Sequence, residues 1–346
     1  MERKKRLGEL DALRGLAALA VVLYHYTTFY DDSFGHKENL LFNFKYGYFG
    51  VHLFFIISGF VIYMTLTKTK NIKEFAIKRA IRLYPAYIVA ATLTFIITSL
   101  YVLESLKVST NIFLINITMF QGVLPIGIKN VDGSYWSLGI EITFYIICCI
   151  LFSLKLIQKP IFLSILFLSV IYIVKTLYIY NFLHPLIGDL GIVNYSNLFI
   201  AGILFYQLRN GKHKIIHMLI FSALLYQFLF QGLLSGIAVS ISFLVFYGIL
   251  YDKLKFLNTR ILIYFGTISY SLYLVHQSIG FIIIHFLEGA GITNSFLVVF
   301  IPLLISILLA SLITHFIEKP FQRTIRNRSV SNKNKKRSLK QVPKTT

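Results

Sequence analysis

Long apolar runs divide this chain, and short polar segments separate them. Each run has roughly the 20 residues that one helical crossing of a bilayer needs. We count ten such runs and predict ten transmembrane helices. They cover residues 10–30, 49–67, 84–103, 135–154, 161–180, 194–208, 215–231, 234–251, 261–286 and 296–317. A shorter apolar stretch, 111–121, is predicted to be a half-helix on the outer side.

Composition places the chain among membrane proteins. Hydrophobic residues make up 56% of the 346 residues, charged residues only 14%, and the mean hydropathy is +0.71. Soluble domains carry about 25% charged residues, so these values exclude an ordinary soluble enzyme. We predict an all-α membrane protein, a bundle of about ten helices, in which residues 1–321 form one transmembrane domain. Residues 322–346 form a basic tail that we expect to be disordered.

Positive charge is distributed unevenly between the predicted loops. The formal net charge is +20, and 28 of the 34 Lys and Arg residues lie in segments on the same side as the N-terminus. Cytoplasmic loops of membrane proteins carry such an excess. We therefore predict that both termini are cytoplasmic and that the tail lies near anionic headgroups. Because topology accounts for the charge, no nucleic-acid partner is expected.

The first predicted helix contains an arginine and a histidine. Arg14 and His25 are eleven residues apart, close to three helical turns, so they share one face at a separation of about 16 Å. Ionisable groups inside a membrane are costly and usually functional. Alone, each has a structural explanation, as a side chain that reaches the headgroups or a packed histidine. Together they indicate a cation that anchors a ligand and a titratable base on the same face of the helix.

A second basic pair precedes the third predicted helix. Arg79 and Arg82 are three residues apart, which places them on one helix face just before Pro85. Paired guanidinium groups suit a ligand that carries several phosphates, through bidentate hydrogen bonds. The alternative is a purely topological role, which accounts well for the neighbouring lysines.

Three further ionisable residues lie in the outer halves of predicted helices. His52, Glu141 and His276 fall at depths similar to that of His25, and Glu141 is expected to orient an imidazole or raise its basicity. The sequence contains no His-Glu-x-x-His or Cys-x-x-Cys motif, so neither a metal site nor a permanently bound cofactor is predicted.

Taken in order, these motifs resemble the acyltransferase-3 family of integral membrane acyltransferases. The resemblance extends over residues 11–321. In the N-terminal part, the matching motifs are Arg14 with His25, then the run Phe54 to Phe60 that contains Ser58, then Arg79 and Arg82 followed by Tyr84 and Pro85. The next motif runs from Trp136 to Tyr145 and includes Ser137, Leu138, Glu141 and Phe144. The last two are the run Ser269 to His276 and the segment Glu318 to Pro320.

The resemblance implies a ten-helix enzyme of the bacterial cytoplasmic membrane. Such an enzyme transfers an acyl group, usually acetyl, from cytoplasmic acyl-CoA to a hydroxyl. The acceptor is commonly a cell-envelope glycan such as O-antigen or exopolysaccharide, or a lipid-linked sugar. Acyl-CoA is then a donor substrate and not a resident cofactor. Some relatives carry a fused periplasmic esterase-like domain, which we do not expect here.

The resemblance also assigns roles to residues. Arg14, Arg79 and Arg82 are expected to hold the phosphates of acyl-CoA. His25 and Glu141 are expected to be catalytic, with His25 either as general base for the acceptor hydroxyl or as the carrier of a covalent acyl group. The acceptor or oxyanion region is assigned to His52, Ser58, Trp136, Ser137, Tyr145 and His276. Many relatives have Asp at the position of His52.

Two other functional classes are open from the residues alone. A transporter or flippase of a glycan or lipid-linked sugar also contains buried His and Glu. Against it, the pairing of Arg14 with His25 has no counterpart in the second half of the chain, as an inverted repeat would require. A non-catalytic envelope scaffold leaves the buried ionisable residues unexplained. The sequence identifies neither the acceptor nor the length of the acyl group.

Overall fold

The computed structural model describes residues 7–101, 103–123, 127–211 and 213–324. Within these ranges the chain is helical and contains no strand. The α-helices, numbered in chain order, are α1 Gly8–Tyr24, α2 Tyr30–Phe34, α3 Gly50–Leu66, α4 Ile72–Leu100, α5 Thr110–Ile117, α6 Trp136–Ser153, α7 Pro160–Ile179, α8 Pro185–Gly188, α9 Gly191–Asn210, α10 Lys214–Phe230, α11 Leu233–Leu250, α12 Arg260–Val275, α13 Gln277–Gly289 and α14 Ser295–Leu312. Of the predicted tail, residues 325–346 lie outside the described residues.

The described helices confirm an all-α membrane protein. Seven segments are long and apolar enough to cross a bilayer, and the bent pair of α12 and α13 makes an eighth when it is counted as one span. α10 is apolar but has 17 residues, and α1 has the same length, which is about 26 Å of rise. The ten crossings and the cytoplasmic side of both termini therefore stay predictions.

Three of the predicted crossings depart from a straight α-helix, and the one at 296–317 does so through the π-helical segment Ile313–Glu318. The predicted crossing 261–286 is broken at His276, where the axes of α12 and α13 meet at 72°. The first crossing passes through one π-helical turn, His25–Phe29, before α2 begins. Such turns inside helices are frequent at functional sites. The break at His276 and the π-helical turn that begins at His25 thus coincide with histidines that the sequence analysis named.

Side-chain caps set where several helices begin. The Asn71 side chain accepts a hydrogen bond from the backbone N–H of Glu74 at the start of α4, and Thr259 accepts one from Leu262 at the start of α12. These caps satisfy backbone donors that the first helical turn leaves free. They place Arg79 and Arg82 in the second and third turns of α4.

Glycines let the central helices approach closely. α1 packs between α12 and α3, and α3 packs along α9. A Cβ atom built on Gly202 of α9 would collide with the carbonyl oxygen of Ile56 in α3, and one built on Gly59 would collide with the carbonyl oxygen of Phe199. Small residues at membrane helix interfaces permit such backbone contact. This packing fixes α3 beside the cavity described below.

We expect Gly202→Ala to lower the free energy of unfolding by about 1–3 kcal/mol, because the added methyl group overpacks the contact of α9 with α3. Gly289→Ala is the matched control, since nothing lies within 4 Å of a Cβ atom at that helical position. The thermal midpoint of each purified variant in detergent checks this. Equal midpoints for the two variants would contradict the close approach.

Candidate active site

An open cavity of about 710 Å³, its mouth included, lies between α1, α3, α4, α6 and α12. Its walls combine apolar side chains with a few charged and hydroxyl groups, as ligand pockets generally do. Six of the residues predicted as functional line it together: Arg14, Ser58, Arg79, Arg82, Ser137 and Glu141. Four separate helices thus bring the predicted residues to one place.

The charged lining of the cavity is predominantly cationic. Among its described lining residues, the guanidinium groups of Arg14, Arg79 and Arg82 face a single carboxylate, that of Glu141. Opposite charges in a site of low dielectric attract strongly. The lining therefore favours an anionic ligand.

Arg79 is held in place on the cavity wall, and one nitrogen of its guanidinium group has no partner in the ranges that the structure describes. Its Nη2 donates to Thr65 Oγ1 at 2.5 Å, and its guanidinium group stacks over the rings of Phe75 and Tyr145 at 5.4 and 5.5 Å. Its Nε is buried and has no hydrogen-bond partner among the described residues. A buried donor without a partner is costly.

Glu141 joins α6 to α3 through hydroxyl groups. Its Oε1 accepts hydrogen bonds from Ser58 Oγ at 3.0 Å and from Tyr145 Oη at 2.6 Å. In contrast to the expectation from the sequence, the hydrogen bonds of Glu141 within the described part of the chain go to these hydroxyls and not to an imidazole. The carboxylate therefore fixes the Ser58 hydroxyl at the cavity wall.

The structure brings His25 and His276 into direct contact. His25 Nδ1 lies 3.1 Å from His276 Nε2, and the ring centroids are 4.8 Å apart. Both side chains are buried. Tyr273 connects this pair to the cavity, because it lines the cavity and its carbonyl oxygen lies 2.9 Å from His276 Nδ1. The Tyr273 hydroxyl lies 2.7 Å from Ser137 Oγ.

Polar side chains from two other segments hold the break at His276. Asp132 Oδ2 accepts from the backbone N–H of Ser278 at 2.9 Å, Tyr135 Oη donates to the carbonyl of Leu274 at 2.9 Å, and Tyr26 Oη donates to the carbonyl of His276 at 2.7 Å. Burial raises the pKa of Asp132, although hydrogen bonds from Ser134 and Ser278 oppose the shift.

Sequence reasoning missed Asp132 and Tyr26. For Asp132 a local signal exists, because an Asp two residues before Ser134 suits a turn in which the side chain accepts from that backbone N–H, as the structure shows at 3.0 Å. Tyr26 carries no such signal, since a tyrosine in an apolar run is ordinary.

Two predicted residues lie away from both groups. His52 Nε2 is 3.4 Å from Ser235 Oγ, and its buried Nδ1 has no partner among the described residues. Trp136 is 39% exposed and packs against Phe55 and Tyr195. Neither lines the cavity. In the described ranges, no group of three His, Cys, Asp or Glu side chains has the geometry to hold a metal ion.

Comparisons with known proteins relate this chain to acyltransferases. Residues 7–316 match the family model described as an acyltransferase domain. The chain is 30% identical over 179 residues to the peptidoglycan O-acetyltransferase OatA of Listeria monocytogenes, an alignment that covers 45% of this chain and 26% of that protein. It is 26% identical over 365 residues to a provisionally named O-acetyltransferase of Staphylococcus aureus, covering 91% of this chain and 57% of that protein.

The chain therefore spans 26% to 57% of the lengths of these two relatives. No solved structure matches it significantly.

Proposed function

The chain belongs to the acyltransferase-3 family, and on that premise we propose that it transfers an acyl group, in the first instance acetyl, from cytoplasmic acyl-CoA to a hydroxyl of a cell-envelope glycan or lipid-linked sugar. The bilayer that holds it is the bacterial cytoplasmic membrane. The observation that carries the proposal is that three arginines and the Ser58–Glu141 pair share one cavity, which reaches Tyr273 beside the two histidines.

The arginines support acyl-CoA as the donor. Coenzyme A carries clustered phosphates, and guanidinium groups bind phosphate through charge-assisted, often bidentate hydrogen bonds. Arg79 and Arg82 approach the cavity from α4 and Arg14 approaches it from α1, so phosphates between them meet donors from two helices. The pantetheine arm would then extend through the cavity toward Tyr273.

The histidines support the chemistry. His25 takes the proton of the acceptor hydroxyl while the hydroxyl oxygen forms a bond to the carbonyl carbon of the thioester. The carbon–sulfur bond breaks, and the coenzyme A thiolate takes the proton back from His25, so that the reaction leaves an ester and free coenzyme A. A covalent acyl group on His25 is the second route that the same ring supports. Ser137 and Tyr273 carry hydroxyls on the cavity wall, and either would serve the oxyanion by turning its donor away from the Ser134 carbonyl.

The class of acceptor is supported by the relatives. One is named a peptidoglycan O-acetyltransferase and the other an O-acetyltransferase. Acetylation of a hydroxyl is the reaction that both names give, and the first name adds a glycan as the acceptor. Acetyl is the first acyl group to test for the same reason.

Binding of the donor tests the proposal in purified protein. We expect acetyl-CoA to bind at least ~10-fold more tightly than acetyl-pantetheine, which lacks the phosphates, because each charge-assisted hydrogen bond contributes about 1.5–3 kcal/mol. Isothermal titration of the protein in nanodiscs measures both affinities. Equal affinities would contradict the role given to the arginines, and no binding of either compound would contradict acyl-CoA as the donor.

A further inference from the structure

We propose that His276 is a positioning residue that keeps His25 in one tautomer, in which Nε2 of His25 is the reacting nitrogen. His276 also accepts a hydrogen bond from His25 Nδ1 as positive charge develops on the His25 ring. This inference rests on the proposed function, because it assigns a partner to the base of that reaction. It goes beyond the acceptor-region role that the family resemblance assigns to His276.

The hydrogen bonds determine which nitrogen carries each proton. His276 Nδ1 lies 2.9 Å from the Tyr273 carbonyl oxygen, which only accepts, so Nδ1 is the protonated nitrogen. In a neutral ring, Nε2 of His276 is then an acceptor, and it lies 3.1 Å from His25 Nδ1. His25 Nδ1 also lies 2.9 Å from the Val21 carbonyl oxygen.

His25 Nδ1 therefore faces two acceptors and must carry a proton. The free lone pair of His25 is consequently on Nε2, for which the described residues provide no hydrogen-bond partner. A base needs such a lone pair to take a proton from the acceptor hydroxyl. The two rings together fix the reactive atom without a carboxylate.

The break between α12 and α13 makes this arrangement possible. In an unbroken helix the N–H of Ser278 would donate to the carbonyl of Leu274 and the N–H of Gln277 would donate to the carbonyl of Tyr273. Here Ser278 donates to Asp132, and Leu274 accepts from Tyr135. The Tyr273 carbonyl receives His276 Nδ1 and, at 3.2 Å, the Ser134 hydroxyl.

His276 also suits the charge that develops during the reaction. When His25 Nε2 gains a proton, the ring becomes a cation and its Nδ1–H bond becomes a stronger donor. Val21 provides a backbone carbonyl that also accepts an N–H of its own helix, whereas His276 Nε2 has an undivided lone pair. A catalytic base that a third group orients is a recurring arrangement in nucleophilic catalysis.

Two isosteric substitutions test the proposal. The amide oxygen of glutamine reaches the position of the imidazole Nε2, so His276→Gln keeps an acceptor for His25. The asparagine side chain reaches the position of Nδ1, so His276→Asn keeps a donor to the Tyr273 carbonyl but leaves the Val21 carbonyl as the remaining acceptor for His25 Nδ1. Initial rates of radiolabelled acetyl transfer in membranes, at varied acetyl-CoA and per amount of folded protein, give kcat and KM for each variant.

We expect His276→Gln to keep most of the wild-type kcat and His276→Asn to lower it by about 10- to 100-fold, with KM for acetyl-CoA unchanged in both. Equal rates for His276→Gln and His276→Asn would overturn the positioning role. In that case an inactive His25→Ala variant would still support the proposed function. No transfer by the wild type would overturn the proposed function itself.

A second measurement does not depend on activity or on a variant. Nitrogen-15 NMR of histidine-labelled wild type in nanodiscs reports which ring nitrogen of His25 is protonated. We expect the proton on Nδ1, and a neutral His25 protonated on Nε2 overturns the inference.

Discussion

Replacing His25 with alanine is expected to lower kcat for acyl transfer by about 10²–10⁴-fold, the contribution of a positioned general base. The reason is that the alanine side chain cannot take the proton of the acceptor hydroxyl or carry an acyl group. KM for acetyl-CoA should change little, since the arginines that hold the phosphates lie on the cavity wall, which His25 does not line. Radiolabelled transfer from acetyl-CoA in membranes measures both parameters.

His285→Ala is the matched control for this experiment. His285 lies on α13 and is exposed, so its loss removes an imidazole without touching the cavity or the histidine pair. Size-exclusion chromatography in detergent checks that both variants fold. Near-normal kcat for folded His25→Ala would remove His25 from the catalytic role.

Replacing Arg79 and Arg82 together with alanine is expected to raise KM for acetyl-CoA by about 10- to 100-fold or more, with a smaller effect on kcat. Each guanidinium group that bonds to a phosphate contributes about 1.5–3 kcal/mol, and these bonds are made equally in the ground state and the transition state. The same variant should bind acetyl-pantetheine as the wild type does, because that compound has no phosphates.

Lys70 and Lys73 provide the control for net charge. Both lie at or near the start of α4 and are exposed, so Lys70→Ala with Lys73→Ala removes two positive charges from the same segment but none from the cavity. Because Arg79 also bonds to Thr65, Arg79→Lys with Arg82→Lys serves as a variant that keeps the charge and loses the bidentate geometry. An unchanged KM in the alanine variant would mean that the two arginines act only in topology.

The sequence could predict that several charged residues of the cavity wall are functional because intramembrane charge is costly. An apolar helix retains Arg14 or Glu141 only where the surrounding structure offers a partner or a ligand. The three-residue spacing of Arg79 and Arg82 places both side chains on one face of a helix. Those four residues do line one cavity. The helical fold class was readable for a similar reason, since length and hydropathy of the runs reflect bilayer thickness.

The break at His276 could not be predicted in the same way. The residues around it, Leu274 to Ser278, include no proline or glycine, so local propensity continues the helix. Its cause is tertiary, because Asp132 and Tyr135 supply the hydrogen bonds that the helix gives up. The contact between His25 and His276 depends on this break and on the lateral order of the helices, neither of which one sequence reveals.

The most direct test of acyl transfer to a glycan is a single labelling experiment. Membranes that contain wild-type protein or His25→Ala are incubated with acetyl-CoA labelled in the acetyl group, and envelope glycans, lipid-linked sugars and proteins are then separated. We expect alkali-labile label in a glycan or lipid-linked sugar fraction with the wild type and almost none with His25→Ala. The same amount of label in both, after longer acyl-CoAs have also been tried, would contradict this expectation and favour a transporter.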